Sequence, residues 1–125
     1  MKHNEKNKVV IALGSNQDPE SHLEAAKQAI KAYHHILKWS EFQQTKPVGA
    51  HIQKDFINGV VLIETDWDEP RLKAWLQSVE DQEGRDHSCE SMVTLDLDIV
   101  VWNGVVVHSD VEQRDFLKRM IAEVL

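Results

Sequence analysis

An α+β sandwich is the fold class predicted by this 125-residue sequence, and three observations carry the prediction. Residues 56–65 and 94–102 alternate in side-chain character with a period of two, the signature of strands. The stretches from Asp18-Pro19 to Tyr33 and from Asp68 and Pro70 to Gly84 instead repeat apolar side chains at helical spacing, each opened by an Asp and a Pro. The strand and helix signals follow one another in a chain whose length, at roughly 100–200 residues per domain, suits one domain and leaves no room for a second.

The polar first seven residues are expected to fray, with a single domain over residues 8–125. Residues 8–13 are a short apolar run ended by Gly14, Ser15 and Asn16, a buried strand leaving into a turn. Asp18 serves as N-cap and Pro19 as first helical residue for a helix whose Leu23, Ala26, Ile30 and Tyr33 share a face. A second strand is placed at residues 36–44, where alternation is poor, and Pro47 and Gly49 mark residues 45–54 as loop. In the strand at 56–65, Ile57, Val61 and Ile63 face one way and Phe56, Asn58, Val60 and Leu62 the other. Asp68 and Pro70 start the next helix, whose Leu72, Trp75, Leu76 and Val79 pack inward before Gly84 ends it. After a loop over 86–93, the strand at 94–102 points Leu95, Leu97, Ile99 and Val101 to one face and Thr94, Asp96, Asp98, Val100 and Trp102 to the other. Asn103-Gly104 is a hairpin turn signal. From about Val111 the chain reads as helix, with Leu117, Met120, Ile121 and Val124 as its stripe. The order βαββαβ, with an added hairpin and C-terminal helix, is that of a ferredoxin-like sandwich. Helices there cover one sheet face and leave the other, carrying Phe56, Asn58, Asp96 and Asp98, available.

Composition narrows the function. At 42% hydrophobic and 28% charged the chain is ordinarily globular, and its net charge of −7 repels nucleic-acid backbone and anionic membrane. Neither is an expected partner, with one exception: a phosphate group that arrives with a divalent cation. Cys89 is the single cysteine, so no internal disulfide forms and a cytoplasmic location is the default. No apolar run approaches the ~18 residues of a membrane span, and residues 1–8 lack the apolar core of a signal peptide. The oligomeric state is not legible in these features.

Asp96 and Asp98 are the most informative pair. Two carboxylates on one strand face stand about 7 Å apart at a rise of ~3.3–3.4 Å per residue, and oxygen donors on a rigid strand suit Mg²⁺ that keeps waters and bridges substrate phosphates. The plainer alternative is a solvent-facing polar edge, against which stands the depletion of Asp from strands. Gly14-Ser15-Asn16 either presents amides to an anion or is a simple turn. Glu80, Gly84 and Arg85 are surface charge and a helix cap, or Arg85 reaches a phosphate. Phe56 and Phe116 are core residues or aromatic clamps, and Asn58 is unusual within a strand. The seven histidines show no zinc-binding spacing, and Cys89 has only His87 near it as a base.

In combination and order, Ala12-Leu13-Gly14-Ser15-Asn16, Thr45-x-Pro47-Val48-Gly49, Asp55-Phe56-Ile57-Asn58, Leu76-Gln77-x-Val79-Glu80, Gly84-Arg85 and Thr94-Leu95-Asp96-Leu97-Asp98-Ile99 resemble the 6-hydroxymethyl-7,8-dihydropterin pyrophosphokinase family over nearly the whole chain. The resemblance implies a ferredoxin-like fold and Mg²⁺-dependent transfer of diphosphate from ATP to a pterin alcohol in folate biosynthesis. It implies that Asp96 and Asp98 hold two Mg²⁺ ions and that, with Arg85, they form the catalytic set. Phe56 and Phe116 would stack on the pterin, with Asn58, Thr45 and Val48 at its edge, and Gln77, Glu80, Arg85, Ile99, His108 and Arg114 would contact ATP. Aromatic planes suit a flat heterocycle, and metals neutralise phosphates for in-line attack. The chain departs from the family pattern in the loop before Thr94, which is shorter, lacks the family's arginines and has Val93 where the family has arginine. Residues 83–98 carry five acidic side chains and one arginine. The stretch from Asn103 to His108 is also shortened, and the chain stops before the family's C-terminal segment. These departures imply weak or atypical catalysis, or alternatively a non-catalytic paralogue that keeps the pterin site.

Overall fold

The computed structural model describes residues 6–46 and 54–125, so residues 1–5, Pro47 and Gly49 lie outside the described residues. Its elements are β1 (Asn7–Ser15), α1 (Pro19–Tyr33), β2 (His35–Trp39), β3 (Gln43–Thr45), β4 (Phe56–Thr65), α2 (Glu69–Gln82), β5 (Asp96–Trp102), β6 (Val105–Val106), α3 (Asp110–Gln113) and α4 (Asp115–Val124). The sheet order is β2-β4-β1-β5-β6, with β3 also on β4 and every pairing antiparallel. This is the expected ferredoxin-like α+β sandwich.

β1 lies at the centre and is buried on both faces. On one side Val9, Ile11 and Leu13 join Leu23, Ala26 and Ile30 of α1 and Leu72, Leu76 and Val79 of α2. On the other, Val10 joins Val60, Val100 and the α4 residues Leu117, Met120 and Ile121. Burying each such Leu, Ile or Val is worth roughly 1.5–3 kcal/mol, which is why a short run with no alternation forms the central strand. The second sheet face is therefore not free along its whole length, since α4 covers one end and leaves the end nearest Gly14 open.

Several local expectations are corrected. Asn7 does not fray: it pairs with Thr65 in β1 and its side-chain amide donates to the Trp67 carbonyl at 2.9 Å. Gly14 and Ser15 belong to β1 and not to a turn. Asp18 is no side-chain cap, because it sits in left-handed backbone (φ 44°) and α1 begins with its carbonyl accepting from His22 N–H at 3.2 Å. Asp68 does cap α2, accepting from Arg71 N–H at 2.9 Å. Tyr33 is exposed, its ring resting against Trp67 and Trp75.

The expected strand at 36–44 is two strands, divided at Ser40, which donates its own N–H to the Val60 carbonyl and accepts the Val60 N–H on its Oγ, both at 2.9 Å. The C-terminal helix is two helices broken at the extended backbone of Arg114. β5 starts at Asp96, so Thr94 and Leu95 lead into it, and a bulge upsets its alternation. Ile11 faces Ile99 but Val10 faces Val101, leaving Val100 as the extra residue. Val100 and Val101 then both enter the α4-side core, and Trp102 returns to the α1/α2 side. Asp96 and Asp98 precede the bulge and keep their common face. At the hairpin, Asn103 (φ 48°) and Gly104 (φ 83°) adopt the two left-handed conformations that a tight two-residue turn requires.

Candidate active site

Across the open end of the sheet, one row of partners runs from Asn58 on β4 through Gly14 on β1 to Asp96 on β5, and the next runs from Val60 through Ala12 to Asp98. The central strand thus offers two of its smallest side chains between the larger Asn58, Val60, Asp96 and Asp98, which makes a trough. Strand spacing sets Asn58 and Asp96 about 10 Å apart across it. Gly14 leaves the space that Asn58 fills: a Cβ there would stand 2.6 Å from Asn58 Oδ1, and the Asn58 side chain would have to shift. Asn58 is held in turn by donating from its amide to Thr45 Oγ1 on β3.

Two clefts open from this trough. The first, of about 250 Å³, is lined by Thr45, Phe56, Asn58 and Phe116, with Lys46 and Arg114. The second, of about 320 Å³, is lined by Gln77, Glu80, Ile99 and His108, with Asp98 at its edge. Arg85 and Asp96 line both. The two groups that the resemblance separates, ring-side and nucleotide-side, therefore fall into separate clefts that share a junction. Arg114 is placed differently from its group, opening into the first cleft and lying 3.4 Å from Asp110. Val48 lies outside the described residues.

Local chain chemistry explains how the junction is set. Gly84, at φ 80°, ends α2 with its N–H on the Asp81 carbonyl, and Arg85 N–H returns to the Glu80 carbonyl. Arg85 then donates from Nη1 to the Leu95 carbonyl at 2.9 Å and meets Asp96 Oδ1 at 3.3 Å. Glu80 is buried, and its carboxylate accepts the Leu97 N–H at 2.7 Å. Burial nonetheless raises its pKa, with that hydrogen bond working in the opposite direction. His108 Nδ1 accepts from Asp110 N–H at 3.1 Å, so the neutral ring carries its proton on Nε2, 3.8 Å from Asp98 Oδ1.

Asp98 is the most perturbed of these groups. Burial first, and the neighbouring Asp96 carboxylate second, push its pKa up from 3.8 to about 8. Among the described residues no group of three His, Cys, Asp or Glu side chains could hold a metal by itself. An oxygen-only pair that resists carrying both its charges fits an ion that brings water and phosphate oxygens to complete its shell, as Mg²⁺ does.

Similarity to known proteins agrees with this geometry. The family model for 7,8-dihydro-6-hydroxymethylpterin-pyrophosphokinase matches residues 10–125. The chain belongs to that family. A 2-amino-4-hydroxy-6-hydroxymethyldihydropteridine pyrophosphokinase of Haemophilus influenzae is 34% identical over 119 residues, covering 86% of this chain and 74% of that protein. The enzyme of the same name from Bacillus subtilis is 32% identical over 129 residues, covering 91% of this chain and 75% of its own. Among the described residues no helix is long and apolar enough to cross a membrane.

Three features around these clefts escape period-two counting. Gly14 matters only because register sets it opposite Asn58. Asp110 joins Arg114 and His108 through a turn that no spacing announces. Asn16 follows the last residue of β1, and its side chain holds the backbone of a residue far along the chain.

The sign of the Asp98 shift gives a pH test. Its folded-state pKa is raised, so its contribution to stability is complete below about pH 4 and is lost as pH rises through about 8. Denaturant unfolding of the metal-free protein should show Asp98→Asn gaining stability relative to the parent across that interval. A constant difference between the two proteins from acid to alkaline pH would contradict the shift.

Proposed function

We propose that this chain transfers diphosphate from ATP to 6-hydroxymethyl-7,8-dihydropterin in folate biosynthesis, in two Mg²⁺ ions' presence and more slowly than its arginine-rich relatives in sequence pattern. The observation that carries the proposal is the pair of clefts meeting at Asp96 and Arg85. In the first cleft the pterin lies against Phe56 and Phe116, with Asn58 and Thr45 at its polar edge. ATP occupies the second, along Gln77, Ile99 and His108. The hydroxymethyl oxygen then attacks the β-phosphorus, the bond from that phosphorus to the bridging oxygen of AMP breaks, AMP departs, and the hydroxyl proton is released.

Asp96 and Asp98 would hold the ions, which supply neutralisation of the phosphate charge. Arg85, buried along its stem and anchored on the Leu95 carbonyl, keeps a fixed positive charge at the junction. His108 offers an N–H toward the Asp98 side of the nucleotide cleft. Binding both substrates beside one another lowers the entropic part of the barrier. The slower turnover follows from charge: an arginine aimed at a transferring phosphoryl group can be worth ~10³–10⁵ in rate, and the buried Val93 lines the first cleft where the family pattern has arginine. The same observation favours the second reading, a pterin-binding module without turnover.

The deciding assay follows AMP release with pterin alcohol, ATP and Mg²⁺, alongside calorimetry of each ligand. AMP formation that needs all three supports transfer, whereas pterin binding without AMP would leave only the binding module. Asp96→Ala should weaken Mg²⁺-dependent nucleotide binding by roughly 10–100-fold, the scale of damage seen at metal sites; an unchanged affinity would contradict its role. Gly14→Ala should act on the other cleft. By pushing on Asn58 it should lower pterin-alcohol affinity roughly tenfold while nucleotide affinity stays within about twofold. Equal losses of both ligands would show that Gly14 does not serve the ring side.

A further inference from the structure

The backbone entering β5 is held by side chains from elsewhere. Val93 is tied to Asn16 on both of its hydrogen-bonding groups: Asn16 N–H donates to the Val93 carbonyl at 2.9 Å, and Val93 N–H donates to Asn16 Oδ1 at 2.7 Å. The other end of the same carboxamide donates to the Ser91 carbonyl at 3.1 Å. Two residues further on, Arg85 takes the Leu95 carbonyl, and two further again Glu80 takes the Leu97 N–H. Asn16 is almost wholly buried, at 3% exposure, so its three bonds have little competition from water. It stands just beyond Ser15, whose hydroxyl also approaches the Val93 carbonyl at 3.4 Å.

We propose that Asn16 is a positioning residue for diphosphate transfer, with its carboxamide fixing the register at which residues 91–97 enter the site. It acts through Val93 on Asp96 and touches no substrate. Strand β5 needs this help because Thr94 and Leu95 lie outside its ladder, which begins only at the Gly14–Asp96 pair. Without Asn16, the Val93 N–H and the Ser91 carbonyl lose partners in a partly buried setting, and the segment is free to shift relative to β1. A shift of about 1 Å at a reacting group is enough to cost ~10²-fold in rate. The inference rests on Asp96 and Asp98 being the carboxylates of the nucleotide site, and one of its tests does not depend on turnover.

The experiment compares the full chain with Asn16→Ala and Asn16→Asp. In Asn16→Ala, kcat for AMP release should fall roughly 10–100-fold and pterin-alcohol affinity by much less, because Asn16 itself does not line the ring cleft of Thr45, Phe56, Asn58 and Phe116. Asn16→Asp keeps an acceptor for Val93 N–H and should recover part of the loss. A kcat within about twofold of the parent in folded Asn16→Ala would overturn the proposal, as would Asn16→Asp losing as much kcat as Asn16→Ala or a loss of pterin-alcohol affinity equal to the loss in kcat. Amide hydrogen exchange on the unaltered protein reads the clasp directly, whatever the variants' folding or activity. Val93 and Asn16 amides should exchange far more slowly than the exposed His87 amide, and exchange as fast as His87 would overturn the proposal.

Discussion

Asp96 and Asp98 leave one strand on the same side, and their mutual repulsion in a partly desolvated trough is the constraint around which the site is organised. Asp98 responds by holding its proton to higher pH. Arg85 offsets part of the charge of Asp96 while spending its other contact on the Leu95 carbonyl. His108, fixed by the Asp110 N–H, turns its remaining ring nitrogen toward Asp98. None of these devices fully neutralises the pair. A site with surplus negative charge and only oxygen donors is prepared for hard cations and the phosphates that travel with them.

The sheet provides the rigidity that such a pair demands. β1 is packed on both faces through Val9, Val10 and Ile11, and narrows to Ala12 and Gly14 where the trough begins. One strand therefore serves as core at one end and as floor at the other. The bulge at Val100 falls beyond the carboxylates, so the strand can redirect its far end into the α4-side core without disturbing Asp96 and Asp98. The break between α3 and α4 at Arg114 has a parallel effect: Phe116 and Arg114 reach the first cleft while Leu117 and Met120 stay in the core.

The strands around Phe56 and Asp96, both long helices and the Asn103-Gly104 turn were legible because burial on one face writes a period into the sequence. What was illegible depends on partners distant in the chain. Ser40 splits a strand through its hydroxyl contact with Val60, and Val100 makes a bulge that shows only when β5 is aligned on β1. Asp18 has the residue type of a cap, but its left-handed backbone leaves the side chain without a capping bond. The same distinction holds in the site. Asn58, Asp96 and Asp98 follow from alternation on one face, and family resemblance adds Phe56, Phe116 and His108 to the candidates. Gly14 and Asn16 acquire meaning only from what they face, Asn58 in one case and Val93 in the other.

Burial and the neighbouring Asp96 carboxylate hold the Asp98 carboxyl protonated to unusually high pH, and under the proposed function Mg²⁺ would take the place of that proton. Carboxyl-carbon NMR titration of Asp96 and Asp98, without metal and then with Mg²⁺ and a non-hydrolysable ATP analogue, measures this directly. The metal-free protein should show one of the two titrating well above the ordinary carboxylate range, near 8, and that midpoint should fall when Mg²⁺ and nucleotide are added. Two ordinary carboxylate titrations, unmoved by Mg²⁺ and nucleotide, would contradict it.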